Sequence, residues 1–549
     1  MWYVSTRGMA PRIDFKEALF SGYAPDGGLY MPEELPQLGR ETLHEWSTLS
    51  YPSLVKELCS LFIGPELIPR DDLNDLIDRA FSRFRHREVV HLSRLRNGLN
   101  VLELWHGVTY AFKDLSLCCT AQFLQYFLEK RKRHITVVVG TSGDTGSAAI
   151  ESVQGAKNVD IIVLLPKGHC TKIQELQMTT VLRENVHVFG VEGNSDELDE
   201  PIKTVFADVA FVKKHNLMSL NSINWSRVLV QIAHHFFAYF RCAPSLDMHP
   251  LSPVEVVVPT GAAGNLAAGC IAQKMGLPIH LVVAVNSNDI IHRTIQWGDF
   301  SLSKAVKPTL ASAMDIQLSE AVTSQSVSDE AITQTMGRCW QENQYLLCPH
   351  SAVAVSCHYQ QVDRQQPSPP RCCLAPASAA KFPEAVRAAR LTLDTPAEIL
   401  ALEHKEARCT PMRKGDDWTR MLRDTIEDLS QQWQSGLPVG LSLVVLVEHC
   451  AWCILELAGP GTKLLCDCTS TRYCVMTLKV WSLGFPKMQT PSPHPAAAAA
   501  AAAAKSLQLC PTLYHPRDGS PPGSPVPGIL QARTLEWVAI SFSNRESEK

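Results

Sequence analysis

One lysine sits inside an apolar and aromatic run, His106-Gly-Val-Thr-Tyr-Ala-Phe-Lys113-Asp-Leu-Ser-Leu117. Burying an amine is costly unless it is paired, neutralised or covalently bonded. An amine whose pKa has been lowered by burial is the nucleophile that a Schiff base needs. The competing reading is a lysine whose stem packs while its head reaches water. Two glycine-rich turns bear on the choice. The first is Val137-Val-Val-Gly-Thr-Ser-Gly-Asp-Thr-Gly-Ser-Ala-Ala149, and the second is Val254-Glu-Val-Val-Val-Pro-Thr-Gly-Ala-Ala-Gly-Asn-Leu-Ala-Ala-Gly269. Each follows a β-branched run and opens an alanine-rich helix. Such a turn presents free backbone N–H groups to a phosphate or carboxylate. Neither is a Gly-x-Gly-x-x-Gly fingerprint or a P-loop, and an ordinary tight turn is the alternative for each.

The elements around these residues alternate. Strand-like runs fall at 137–139, 160–165, 187–191, 254–258 and 280–285, with helical stretches between them, including 116–130 and 225–240. That alternation predicts parallel sheets covered on both faces. Before it, 54–63 and 73–84 read as amphipathic helices, and 422–433 reads as a final helix.

Taken together, the motifs resemble the threonine synthase family of pyridoxal-phosphate (PLP) enzymes. The matching segments, in the family's order, are Gly22–Pro32, His106–Leu117, Thr141–Ala148, Pro166–Met178, Asn221–Arg227 and Pro259–Asn265. The resemblance implies an α/β chain of the tryptophan synthase β-like fold (fold type II). It has two parallel-sheet lobes and a small N-terminal domain. Domains are expected at 1–92 and 93–433, followed by an unrelated, disordered tail at 434–549.

The resemblance also implies roles. Lys113 would carry PLP as a Schiff base and act as the catalytic base. Gly261, Ala262, Ala263, Gly264 and Asn265 would hold the cofactor's phosphate. Asp144 would lie near its ring hydroxyl. Thr141, Ser142, Gly143 and Thr145 would hold the substrate's carboxylate. Asn221, Ser222, Asn224 and Arg227 would grip the substrate's own phosphate; Asn and Ser as helix caps are the alternative. Phe112 and Asp114 would fix the position of Lys113, with core packing and helix capping as their alternatives, and Lys167 and Lys172 would be further phosphate contacts, with plain solvation as theirs. In the family a hydroxyl residue precedes Ala-His-Pro-Ala-Lys-Phe beside the cofactor nitrogen. This chain reads Leu374-Ala-Pro-Ala-Ser-Ala-Ala-Lys-Phe382. Pro376 therefore occupies the hydroxyl position, and Ser378 is the nearest substitute. The expected reaction is elimination of phosphate from O-phosphohomoserine or O-phosphothreonine. The alternatives are threonine synthesis and an inactive chain with a binding or signalling role. A homodimer is compatible with the resemblance.

The chain departs from the family in two places. After Gln317 relatives continue with several dozen residues opening on Pro-x-Asn-x-Glu-Arg, whereas this chain passes to Leu318-Ser-Glu-Ala-Val322. Beyond Gly436 come an apolar run at 441–447, far short of a membrane span, an alanine run at 496–504 and a Pro/Gly/Ser-rich end.

The composition agrees with an enzyme of this kind. The 549 residues are 45% hydrophobic and 19% charged, with a formal net charge of −4. No basic field calls for nucleic acid or a membrane surface. Eighteen cysteines are too few for a disulfide scaffold of this length, and no pair of Cys-x-x-Cys motifs suggests structural zinc. With no apolar signal core at the N-terminus, the expectation is a reducing, cytoplasmic compartment, no metal and reduced thiols.

Overall fold

Valine- and isoleucine-rich runs that stop at glycine or proline set the frame. In Val159–Pro166 all eight residues are buried, as in a strand covered on both faces. The computed structural model describes residues 1–131, 133–221, 224–261, 263–299, 322–365 and 369–435, together with the backbone of three short strands beyond them.

Two sheets carry the site. The first runs Thr410–Met412, Val186–Val191, Val159–Pro166, Ile135–Gly140, Leu217–Met218, all parallel. The second runs Val322–Ser326, Ile279–Val285, Val254–Pro259, Arg371–Ala375, Asn100–Glu103, and His91–Arg94 closes it as an antiparallel edge. Each of the five expected strand runs lies in one of these sheets. The fold class is the expected one.

The N-terminal segment pairs Tyr3–Ser5 with Tyr30–Pro32 and adds the helices Tyr51–Phe62 and Arg70–Phe81. The apolar spacing located their faces, but the start of the first is fixed by Ser50, whose side chain accepts from Ser53 N. This segment shares one core with the helix Trp225–Cys242 rather than building its own. Tyr3 donates its hydroxyl to Phe62 O at 2.8 Å and accepts from Trp225 Nε1 at 3.2 Å. Leu229, Ile232 and Phe236 on that helix are fully buried, each contributing roughly 1.5–3 kcal/mol. The helix is therefore rigidly placed, and it carries Arg227.

By its contacts the chain divides into a unit built on Met1–Ile426 and a second, Glu427–Pro527. The final helix is Trp418–Ser435. In the second unit Val444–Glu448, Tyr473–Thr477 and Leu465–Asp467 form a small antiparallel sheet. These strands depart from the expectation of a wholly disordered tail; the rest of 436–549 lies outside the described residues, as does the junction after Gln317. Every described cysteine is free.

Candidate active site

Lys113 is the first residue of the helix Lys113–Arg131. The loop before it is tied down on two sides. Asp114, fully buried, accepts from Thr109 N at 2.8 Å and from Thr109 Oγ1 at 2.7 Å. Gly107 permits this, since a Cβ there would lie 2.3 Å from Asp114 Oδ2. Asp114 thus anchors the loop that leads to Lys113. On the other side, Phe112 N donates to Pro376 O at 2.7 Å and Ser378 N to Tyr110 O at 3.1 Å. Tyr110 takes a left-handed φ of 59°, an uncommon conformation for a bulky residue.

The amine of Lys113 faces a set of charges drawn from distant segments. Burial pushes it down to about 8, against the pull of Asp144 and with the repulsion of Arg227 and Lys381. Among the described residues no carboxylate reaches ion-pairing distance of its Nζ. Asp144 is instead paired with Lys381, whose Nζ lies 2.7 Å from Asp144 Oδ1 with its side chain 0% exposed. Gln174 Nε2 donates to the same oxygen at 2.8 Å. Burial raises the Asp144 carboxyl, but Lys381 and Lys113 outweigh it and hold the acid ionised. His350 also faces this cluster; burial pushes it down to about 4, Asp144 opposing and the two lysines reinforcing.

The first glycine turn is held by its own hydroxyl. Thr141 Oγ1 accepts from Gly143 N at 3.0 Å and from Gly146 N at 2.9 Å. Gly143 has φ +139°, and a Cβ there would sit 2.5 Å from the Gln174 amide carbon. Ser142 and Thr145 are half-buried beside it. The second turn leads into the helix Gly264–Lys274, whose start at Ala263 has no side-chain cap. Among the described residues no side chain caps its first N–H groups; Gly261 stands just before them, and Ala262 lies outside the described residues. Asn265 is locked from below. Its Oδ1 accepts from His234 Nε2 at 2.7 Å and His235 Nε2 at 2.9 Å, and burial holds both imidazoles neutral.

The third segment divides. Asn224 is engaged within the protein, as its capping alternative has it: Nδ2 donates to Leu19 O and Ser21 O, and Oδ1 accepts from Ser226 N and Ser226 Oγ. Fully buried and fully bonded, it caps the helix Trp225–Cys242. Asn221 differs, since its buried Oδ1 has no hydrogen-bond partner among the described residues. Ser222 lies outside the described residues. Arg227 is 1% exposed. One nitrogen donates to Leu220 O at 2.9 Å, and Nε has no hydrogen-bond partner among the described residues. Ser378 caps the short turn Ala379–Lys381 by accepting from Ala380 N at 3.2 Å. It also lines a cavity of about 250 Å³ with Tyr110, Tyr345 and Ser351. Lys167 and Lys172 are exposed, as solvated lysines are.

Sequence reasoning missed Lys381, Gln174 and His350. Lys381 and Gln174 stand inside quoted motifs without a role. The signal for His350 was its place just after Pro349 at a helix start.

A fold of two parallel-sheet lobes, with a lowered lysine and an uncapped glycine turn between strand and helix, is that of a PLP-dependent enzyme. Three family profiles match in order: threonine synthase N terminus over residues 2–81, pyridoxal-phosphate dependent enzyme over 88–375, and threonine synthase C-terminal over 351–423. The chain belongs to the threonine synthase family of PLP-dependent enzymes. The threonine synthase-like 2 protein of Pongo abelii is 80% identical over 477 residues, covering 79% of this chain and 99% of that one. The aligned length exceeds what this 549-residue chain contributes, so the relative carries several dozen positions missing here. That agrees with an internal gap. The crystal structure of threonine synthase from yeast has a TM-score of 0.71 at 32% identity, covering 79% of this chain and 99% of that chain. PLP-bound threonine synthase from Brucella melitensis gives 0.70 at 33%, covering 78% and 100%.

The residues present fit PLP. An amine lowered to about 8 has no carboxylate within ion-pairing distance, and a helix N-terminus carries no cap. Among the described residues no helix is long and apolar enough to cross a membrane.

Proposed function

We propose that the chain is a phospho-lyase acting on O-phosphohomoserine or O-phosphothreonine and releasing phosphate, 2-oxobutanoate and ammonia. The observation that carries this reading is Arg227. A buried guanidinium with an unpartnered Nε, within electrostatic reach of Lys113, calls for an anion beside the reacting centre.

In this reading Lys113 holds the cofactor, and the N–H groups from Gly261 to Asn265 hold its phosphate. Bound PLP supplies an electron sink for charge developing at the substrate's Cα. Lys113 Nζ takes the Cα proton, a task suited to an amine lowered toward neutrality. This suffices for O-phosphothreonine, whose phosphate is on Cβ, whereas O-phosphohomoserine, with its phosphate on Cγ, must also lose a Cβ proton before phosphate leaves and gain one at Cγ afterwards. Arg227 and Asn221 orient the substrate's phosphate and stabilise its charge as it leaves. Asp144, kept ionised by Lys381, orients the cofactor ring from the first glycine turn. Thr141 holds that turn in shape, leaving Ser142, Gly143 and Thr145 to meet the substrate's carboxylate. After phosphate departs, an enamine remains, and water hydrolyses it to 2-oxobutanoate and ammonia.

Lyase rather than synthase rests on Pro376. From O-phosphohomoserine both routes protonate the far carbon; a synthase must in addition hold the unsaturated intermediate and admit water at Cβ. That needs a controlled charge on the cofactor nitrogen. Proline offers no side-chain hydrogen bond there, and its carbonyl already accepts from Phe112 N. The test is to incubate the enzyme with PLP and O-phosphohomoserine and to assay phosphate, 2-oxobutanoate and threonine together. Phosphate matched by 2-oxobutanoate is expected. Threonine as the main product overturns the lyase reading, and no phosphate release from a folded, PLP-loaded enzyme overturns the phosphorylated substrate.

A further inference from the structure

A second cluster of ligating side chains lies outside this site, on the turn between the helix Arg70–Phe81 and the edge strand His91–Arg94. His86, Glu88 and His91 each offer a ligand atom, and these atoms lie within 4.8 Å of one another. Glu88 N donates to His86 Nδ1 at 3.2 Å. His91 Nδ1 is 3.0 Å from Glu88 Oε2.

The turn is built to bring them together. Val89 takes φ 66°, a left-handed conformation that β-branched residues rarely adopt and that surrounding structure must enforce. Val89 N donates to His86 O at 2.9 Å and Val90 N to Glu88 O at 2.7 Å. Val89 and Val90 are buried, while His86, Glu88 and His91 keep solvent access.

A supporting tier stands behind them. The His106 ring lies 4.7 Å from that of His86, and its Nε2 is 2.8 Å from Glu103 Oε2. Glu103 is itself fixed by Ser93 Oγ and Tyr345 OH, each donating at 2.7 Å. Two of the nearby cations are engaged elsewhere. Arg85 donates to Gly107 O, Val108 O and Glu398, and Arg241 donates to Ser47 O and Leu49 O.

The geometry points to a divalent transition-metal site at His86, Glu88 and His91, with zinc as the ion that suits two imidazoles and one carboxylate, and water completing the shell. Zinc–ligand bonds of about 2.0–2.2 Å in tetrahedral array set the ligand atoms about 3.4 Å from one another, so the wider-set atoms close in while His91 Nδ1 and Glu88 Oε2 part slightly from 3.0 Å, a movement that side-chain rotation on a surface turn supplies. The ion would stiffen the turn next to the site: Arg85 N donates to His106 O at 2.9 Å, at the head of the loop leading to Lys113.

The experiment uses the full-length, PLP-loaded protein after chelator treatment. Zinc is titrated calorimetrically, and cobalt(II) is added in parallel for its absorption spectrum. One zinc per chain is expected. His86→Gln and His91→Gln should each weaken it by roughly tenfold or more, with circular dichroism and cofactor absorbance unchanged. The cobalt spectrum should lack sulfur-to-metal charge transfer, which excludes the many cysteines as the ligands. Equal zinc affinity in the H86Q/H91Q double variant overturns the site. So does thiolate charge transfer as the main cobalt signal, or a wild-type protein that takes up no zinc.

Discussion

Lys381 Nζ and Asp144 Oδ1 meet at 2.7 Å, with the lysine entirely out of solvent. The two belong to different segments, one on the first glycine turn and one after the strand Arg371–Ala375. Their pairing is a buried ion pair, costly to assemble and costlier to break.

Asp144→Asn should therefore destabilise the protein by about 3–5 kcal/mol, because Lys381 is left as an uncompensated buried charge. Replacing both, Asp144→Leu with Lys381→Met, should recover much of the loss. The folded state holds Asp144 ionised. Its contribution is thus present above the unfolded carboxylate's value of about 4 and is lost as pH falls below it. Urea unfolding of the single and double variants at pH 7 and at acid pH measures both effects. A single variant as stable as wild type would show that the pair is not buried in solution.

Lys113 should titrate as a perturbed amine. In cofactor-free protein, competitive labelling with acetic anhydride should give half-maximal reactivity of Lys113 near the value of about 8 set by burial. Below it the amine is protonated and unreactive, and above it neutral and nucleophilic. Exposed lysines should follow their ordinary value of about 10.4. Lys113→Ala should abolish the visible absorbance of bound cofactor and all turnover while leaving the far-ultraviolet circular dichroism intact. A midpoint matching the exposed lysines would count against burial of the amine.

Arg227 separates function from stability. Arg227→Met removes a buried charge with an unpartnered Nε, so the midpoint of denaturant unfolding should stay level or rise. Phosphate release from O-phosphohomoserine should nevertheless fall steeply. Arg227→Lys keeps the charge but loses the fork, and should raise KM strongly with little change in PLP affinity. Loss of PLP binding in step with substrate binding would remove Arg227 from the substrate's side of the site.

Gly143→Ala tests the turn. The new methyl meets the Gln174 amide at 2.5 Å on a backbone of φ +139°. Strain of about 1–3 kcal/mol is expected, and displacement of Gln174 removes a hydrogen bond from Asp144. Thermal unfolding and the cofactor spectrum should both shift. A change in neither would mean that the turn adapts freely.

Much of this was legible in the chain. The β-branched runs marked five sheet strands because strands covered on both faces are apolar without interruption. Lys113 stood out because a lone amine in an apolar run demands an account. Other features were hidden by their chemistry. Asn224 and Asn221 look alike in sequence, yet one is spent on Leu19 O and Ser21 O while the other keeps a free oxygen. Only the packing of the N-terminal segment decides between them. Lys381 reads as an ordinary lysine until the fold sets it against Asp144. His234 and His235 carry no signal of their own in the sequence, and their shared grip on Asn265 needs the register of two helices.

The short ladder joining Tyr110 and Phe112 to Pro376 and Ser378 also sets a timetable. The lysine is made early in translation, but the strand end that fixes its loop is made late. Until the ribosome has passed residue 378, the growing chain has the lysine without its seat. A transcript ending before that point would yield a protein that keeps the Lys113 motif and its Asp114–Thr109 anchor yet lacks the second of the loop's two ties.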